Sequence, residues 1–360
     1  MKIPRLLCVF ACLLAVQARA LVFNTTFDAS VTGSANSAQI QSAFNTVTSY
    51  LQNLFTNNIT INLIVYYGAA GPFSGGSLGA SQTQFTGTSS YATLTNALRN
   101  ARTTANDSNA VASLPASDPI AGDSWWYPRA QAKALGVLGV SPNDSSLDGE
   151  IGFSSSVTYT FDPTNRAVAG KYDFISVAFH EITEVMGRVY FNLSSTFVPY
   201  DLFRFSAPGT RTFSTTAPTV YFSVDNGVTN LRNFNPLQGS GDLTDWALSG
   251  PADSCDYSIS SGKKGLFSYA DLTALDIIGY KLNYTPPKLA GVKSGTNFVV
   301  SFTNTPGTSY TMLATTNLAL AVTNWTILGT NTDNGSPGQF TFTNGVPATN
   351  GFRFYRAKLN

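Results

Sequence analysis

His180 is the only histidine in the 360-residue chain, and two of the three glutamates stand one and four positions beyond it, in DFISVAFHEITEVMGRVY over 173–190. On a helix, residues four apart share a face, so His180 and Glu184 point the same way, an imidazole nitrogen beside a carboxylate. Glu181 sits about 100° round the axis and can reach past that pair toward solvent. An imidazole and a carboxylate on one face are suitable ligands for a divalent metal, because zinc takes His nitrogen and Glu or Asp oxygen at about 2.0–2.2 Å. A second carboxylate beside such a metal is placed to act as a general base. The plain alternative is a buried helix whose His180 is hydrogen-bonded in the core. That helix would have to carry Glu181 and Glu184 among Phe174, Val177, Ala178, Ile182 and Val185, where unpartnered carboxylates are costly.

The surrounding sequence mixes helical and strand periods. SAQIQSAFNTVTSYLQNLF places Ile40, Phe44, Val47, Leu51 and Leu54 on one helical face, and NITINLIVYYG follows as a buried strand. DSWWYPRAQAKALG reads as a strand end or loop entering a short helix, and DGEIGFSSSVTYTFD alternates as a further strand. After a Gly/Lys break comes the helix of His180. FSYADLTALDIIGY then places Leu272, Leu275 and Ile278 on one face, with Ser268 as cap and Gly279 as stop. This order predicts an α+β domain over 21–286 rather than repeated βαβ units. Pro286 and Pro287 mark a boundary. Beyond them, short alternating runs separated by turn residues predict a small antiparallel β-sandwich, Ig-like, over 287–360. Trp325, Phe340, Phe342, Phe352 and Tyr355 are its expected core.

Residues 1–20 carry Lys2 and Arg5, an apolar run from Leu6 to Val16, and a closing ARA, the pattern of a cleaved secretory signal peptide. Cys8 and Cys12 leave with it, so Cys255 is left without a partner for an intrachain disulfide. Charged residues make up 11% of the chain, against roughly 25% in typical soluble domains. Ser, Thr, Asn and Gly carry the surface instead, which suits a secreted extracellular bacterial protein. Net charge is +1 with no Lys/Arg cluster, so nucleic acid and anionic membrane are not expected partners. No stretch is apolar enough to span a membrane. The expected partners are protein or peptide substrates, and the expected state is a monomer.

The segment HEITEVMGR, followed by YDLFRFSAPGTR and SYADLTALDIIGY, resembles a group of secreted bacterial metalloproteases of the zincin type, over roughly residues 150–282. Its spacing is also similar to the metzincin pattern HExxHxxGxxH, with Gly187 where that pattern turns the chain sharply. It departs from that pattern in three ways. Glu184 takes the second ligand position, Tyr190 stands where a third histidine would be, and no methionine is placed for a Met-turn. The resemblance implies a zincin-like domain binding Zn2+ through His180 and Glu184, with Glu181 as general base of a zinc-dependent endopeptidase. For the third ligand, Asp201 at the head of DLFRFSAPG is preferred, as a hard oxygen donor that a loop after Gly187 could return to the metal. Tyr190 has the spacing but is a poor ligand while its phenol is protonated. Two carboxylates would leave the shell dianionic, which makes a bound water less acidic and admits other divalent metals.

Other motifs carry less. Asp225-Asn226-Gly227 reads as a hairpin turn before a calcium loop. GGSLG around Ser77 matches a nucleophile motif in letters but lies in a Gly/Ser-rich loop and would have to claim the one histidine. The rival to an enzyme is a non-catalytic extracellular surface or matrix protein that keeps a zincin fold with a structural metal.

Overall fold

The computed structural model describes residues 21–72, 75–190, 196–217, 219–236, 241–283, 287–295, 297–303, 309–332, 339–345 and 353–359. The secretory-signal reading of residues 1–20 lies outside the described residues.

Strand β1 (Val22–Phe27) and the short helix α1 (Ala29–Thr32) lead into helix α2 (Ser37–Leu54). Ile40, Phe44, Val47, Leu51 and Leu54 of α2 are all buried, as their spacing predicts. Strand β2 (Thr60–Tyr67) returns parallel to β1. Next come strands β3 (Gly79–Thr83) and β4 (Phe85–Ser89) and helices α3 (Tyr91–Ala101) and α4 (Ala105–Ala112). Strand β5 (Ser124–Pro128), helix α5 (Arg129–Leu135) and strand β6 (Gly149–Phe153) follow. The principal sheet runs β1-β2-β6-β3. Its first three strands are parallel and β3 is antiparallel to β6, so β3 is an edge strand.

Strands β7 (Tyr159–Thr160) and β8 (Tyr172–Asp173) pair just ahead of helix α6 (Phe174–Val185), which carries His180. The single long strand expected from DGEIGFSSSVTYTFD is therefore two. Ser154 Oγ accepts the Ser156 N–H, and this local turn in the serine run breaks the ladder after Phe153. Strand β9 (Thr196–Phe197) joins β5, and a 3-10 turn over Pro199–Phe203 follows it. A small antiparallel sheet is then built from β10 (Arg204–Ala207), β11 (Thr210–Arg211), β12 (Tyr221–Phe222) and β13 (Arg232–Asn233). Helix α7 (Tyr269–Ile277) closes this part of the chain with Leu272, Leu275 and Ile278 buried.

One core joins these elements, and Phe44 of α2, Val65 of β2, Ile151 of β6, Ile182 of α6 and Leu275 of α7 all lie in it with no exposed surface. Each such side chain contributes roughly 1.5–3 kcal/mol by leaving water. Helix α6 packs against α2, β3 and β6, so the helix of His180 lies beside the open edge of the sheet.

Beyond Pro287 run strands β14 (Ala290–Ser294), β15 (Asn297–Thr303), β16 (Ser309–Thr315), β17 (Thr326–Thr332), β18 (Gln339–Gly345) and β19 (Phe354–Leu359). They form two antiparallel sheets, β14-β15-β18 and β17-β16-β19. Val300, Phe302, Phe340 and Phe342 of the first sheet and Tyr310 and Met312 of the second share a core of their own. Trp325 is not in it. It is half-buried just ahead of β17, its indole N–H donating to Leu320 O. Tyr355 packs from the rim, stacked on Phe298, and Phe352 lies outside the described residues. The fold class is mixed α+β, as the sequence predicts.

Candidate metal centre

Helix α6 is pinned at both ends. At its start the Asp173 carboxylate, fully buried, accepts from Arg166 Nε at 3.0 Å and from Ser176 Oγ at 2.6 Å. At its end Gly187 has φ +121°, a left-handed conformation that side chains resist, and a Cβ there would meet Gln131 and Ile278 at 3.2 Å. The sharp turn expected at Gly187 is present. It brings the Arg188 N–H back to Thr183 O and sends the Arg188 side chain under the helix.

His180 and Glu184 face one another across one helical turn, with Nε2 3.2 Å from Glu184 Oε1. Their third partner is Asp245, whose Oδ1 is also 3.2 Å from His180 Nε2. The three groups offer one ligand atom each, all within 4.8 Å of one another. Four ligands in a tetrahedron at about 2.0–2.1 Å from zinc stand about 3.3 Å apart, so the donor set fits a divalent ion with little movement. His180 Nδ1 lies 3.1 Å from Ser254 O. A carbonyl can only accept, so Nδ1 carries the proton and Nε2 is the atom left for a metal. Ser81 Oγ of β3 donates to Glu184 Oε2 at 2.7 Å, and the Asp242 N–H donates to Asp245 Oδ2 at 3.0 Å. Each ligand is thus oriented through the atom it does not offer.

Asp201 and Tyr190, the two expected candidates for the third ligand, are not at this cluster. Asp201 Oδ2 accepts the Val198 N–H at 3.0 Å, closing the 3-10 turn, and Oδ1 lies 3.7 Å from Arg204 Nη1. Burial pushes its carboxyl up to about 6 although Arg204 pulls it down. The Tyr190 ring lies 5.2 Å from the same guanidinium. Asp245 occupies the position intended for Asp201. Its only local signal is the short GDLTDW run, and nothing in that spacing refers to His180. The loop is held by tertiary bonds, from the Asn235 N–H to Asp245 O and from the Trp246 indole N–H to Asp271 Oδ1.

Glu181 is buried on the neighbouring face against β3. A Cβ on Gly79 would stand 2.5 Å from Glu181 Oε1 and 2.7 Å from Val177, so only glycine lets the carboxylate lie against the edge strand. Burial, then the adjacent Glu184, push the Glu181 carboxyl well above its ordinary value without a metal. These groups line a cleft of about 780 Å³ with Ser77, Tyr172, Asp242 and Tyr257. The Ser154 N–H donates to Leu78 O and the Gln84 N–H to Asp148 O. The alternation of an antiparallel ladder then leaves the N–H and C=O of Gly79, Ser81 and Thr83 facing away from β6, along the open edge.

A second group, Asp253, Cys255 and Asp271, is fully buried, but its donors are taken. Asp271 accepts from Trp246 Nε1 and the Ser268 N–H, each at 2.6 Å. Asp253 accepts the Cys255 N–H at 2.8 Å and faces Arg232 at 3.4 Å. Burial, then Asp271, raise the Asp253 carboxyl, which favours its neutral form where a metal would need the anion. Cys255 is a buried thiol with no disulfide among the described residues. Asp225 is a turn residue. Asn226 and Gly227 have φ of +60° and +79°, and the carboxylate accepts the Thr229 N–H. Ser77 is exposed, ahead of rather than behind a strand, and donates to Gly79 O, which is not a nucleophile elbow.

Burial disfavours a charge on His180, but Asp245 and Glu184 outweigh it and hold the imidazole protonated well above the ordinary value in the metal-free protein. That imidazolium stabilises the fold fully below about pH 6.5 and its contribution is lost as pH rises through the raised value. A metal must displace the same proton. Zinc affinity measured by chelator competition is therefore expected to rise about tenfold per pH unit between about pH 6 and 8, and a flat profile would refute the shared proton.

No protein-family model, curated protein or solved structure matches this chain. Among the described residues no helix is long and apolar enough to cross a membrane.

Proposed function

We propose that the chain is a secreted zinc-dependent endopeptidase with a zincin-like domain, its zinc held by His180, Glu184 and Asp245. The observation that carries this reading is the convergence of those three side chains in an open cleft, with Glu181 beside them and outside the ligand set. Zinc bound there would supply the Lewis acidity to polarise a peptide carbonyl and acidify a water. Glu181, outside the ligand set, would take a proton from a water in the cleft and pass it to the leaving amine. Its position against Gly79 keeps it close to any substrate in the cleft. An extended peptide would pair with the outward N–H groups of Gly79, Ser81 and Thr83 and the C=O groups of Ser81 and Thr83, so the edge of β3 would orient the substrate. The metzincin-like spacing belongs to this proposal through the helix and the Gly187 turn, and the third ligand departs from it. The C-terminal sheets carry no such cluster among their described residues and serve as an accessory module.

The test is metal content with peptide hydrolysis. The purified chain is expected to hold about one zinc and to cleave unfolded protein substrates. Less than about a tenth of an equivalent after purification in zinc would refute the centre. One equivalent of metal without hydrolysis of several unfolded substrates would identify a non-catalytic protein with a structural ion.

A further inference from the structure

We propose that Arg188 is the positioning residue of this centre: its guanidinium holds the Asp245 loop to helix α6 and supplies the counter-charge that keeps two carboxylates side by side. The inference rests on reading the cluster as a metal centre. Arg188 is fully buried. Its Nη1 donates to Asp245 Oδ1 and to Thr244 O, both at 3.1 Å, and its Nε donates to Thr183 Oγ1 at 3.1 Å. Its Nη2 lies 3.8 Å from Glu184 Oε1. The two carboxylate oxygens it approaches are the same two that stand 3.2 Å from His180 Nε2. One planar fork therefore spans the last turn of α6 and a loop far along the chain, a geometry that guanidinium allows and ammonium does not.

The electrostatics lead to the same residue. Glu184 and Asp245 repel one another in a buried site unless a cation stands behind them. A divalent ion with two carboxylates and a neutral imidazole is neutral overall, and Arg188 restores a single positive charge. The dianionic shell expected to weaken the centre is thus compensated from beneath the helix. Among the described residues, His180 and Arg188 are the two side chains of the α6 region that hold the Asp245 carboxylate, so Arg188 keeps the loop in place when the imidazole turns to a metal.

Arg188→Met and Arg188→Lys in the full chain test this, with zinc affinity measured by chelator competition and the ligand geometry read from the visible absorption of the cobalt-substituted protein. The methionine variant is expected to lose roughly 10–100-fold in affinity, the usual effect of removing a group that orients a ligand. Lysine keeps the charge but not the fork, so it is expected to recover part of that loss and to show a shifted cobalt spectrum. A residue that only supports the fold would lower the melting temperature and leave affinity and spectrum unchanged at temperatures where the variants are folded. Should the methionine variant not fold, the lysine variant decides alone, and parental affinity with a parental spectrum overturns the proposal. A parent that binds one equivalent while its variants bind equally well overturns the role of Arg188 only. A parent that takes up no metal removes the centre and this role together.

Discussion

Asp245→Asn is expected to abolish tight metal binding, lowering zinc affinity by at least about 100-fold, while Asp201→Asn keeps it. Asparagine at 245 preserves the size and still accepts the Asp242 N–H, but it removes the charge a divalent cation requires. It also strands Arg188, whose Nη1 loses its carboxylate in a fully buried setting. Breaking one side of a buried pair costs about 3–5 kcal/mol, so the metal-free variant is expected to melt well below the parent. Asp201→Asn weakens the acceptor of the Val198 N–H and takes the carboxylate from the buried Arg204, so it too is expected to lower the melting temperature, but it removes no metal. Equilibrium dialysis against zinc separates the two. Metal lost from Asp201→Asn and kept in Asp245→Asn would make Asp201 the third ligand in place of Asp245.

Glu181→Gln is expected to retain one zinc and to lose peptide hydrolysis by roughly 10²–10⁴, the contribution of a positioned general base. The substitution is close to isosteric, which matters because Glu181 Oε1 lies 2.5 Å from where a Cβ on Gly79 would stand, leaving no space for a larger group. Glutamine also removes the carboxyl whose proton affinity is raised by burial and by Glu184, so the neutral variant is expected to be no less stable than the parent. Steady-state cleavage of an unfolded substrate with parallel metal analysis makes the measurement. Proteolysis that survives this substitution would remove Glu181 from the mechanism and leave the ligand set untouched.

What was legible in the sequence was local. The periodicity of α2 named its buried residues, since a 3.6-residue repeat needs no knowledge of what covers it. The i, i+4 relation placed His180 beside Glu184, and the glycine at 187 announced the turn that ends α6, because both follow from helix geometry within a few residues. Asp245 was not legible. The chain has seventeen aspartates among its twenty acidic residues, and no spacing rule selects one that arrives some sixty positions later on an irregular loop. Asp201 has the chemistry of a hard oxygen donor on a loop after Gly187, yet a local backbone N–H and Arg204 claim its carboxylate. The same limit hid the supports. Ser81 orients Glu184 from an edge strand, Ser254 fixes the His180 tautomer, and Gly79 makes room for Glu181. Each is a contact between segments far apart in the chain, set by how the sheet edge, helix α6 and the Asp245 loop pack together. Helix geometry decided which side chains could bind a metal, and long-range packing decided which carboxylate completes the set.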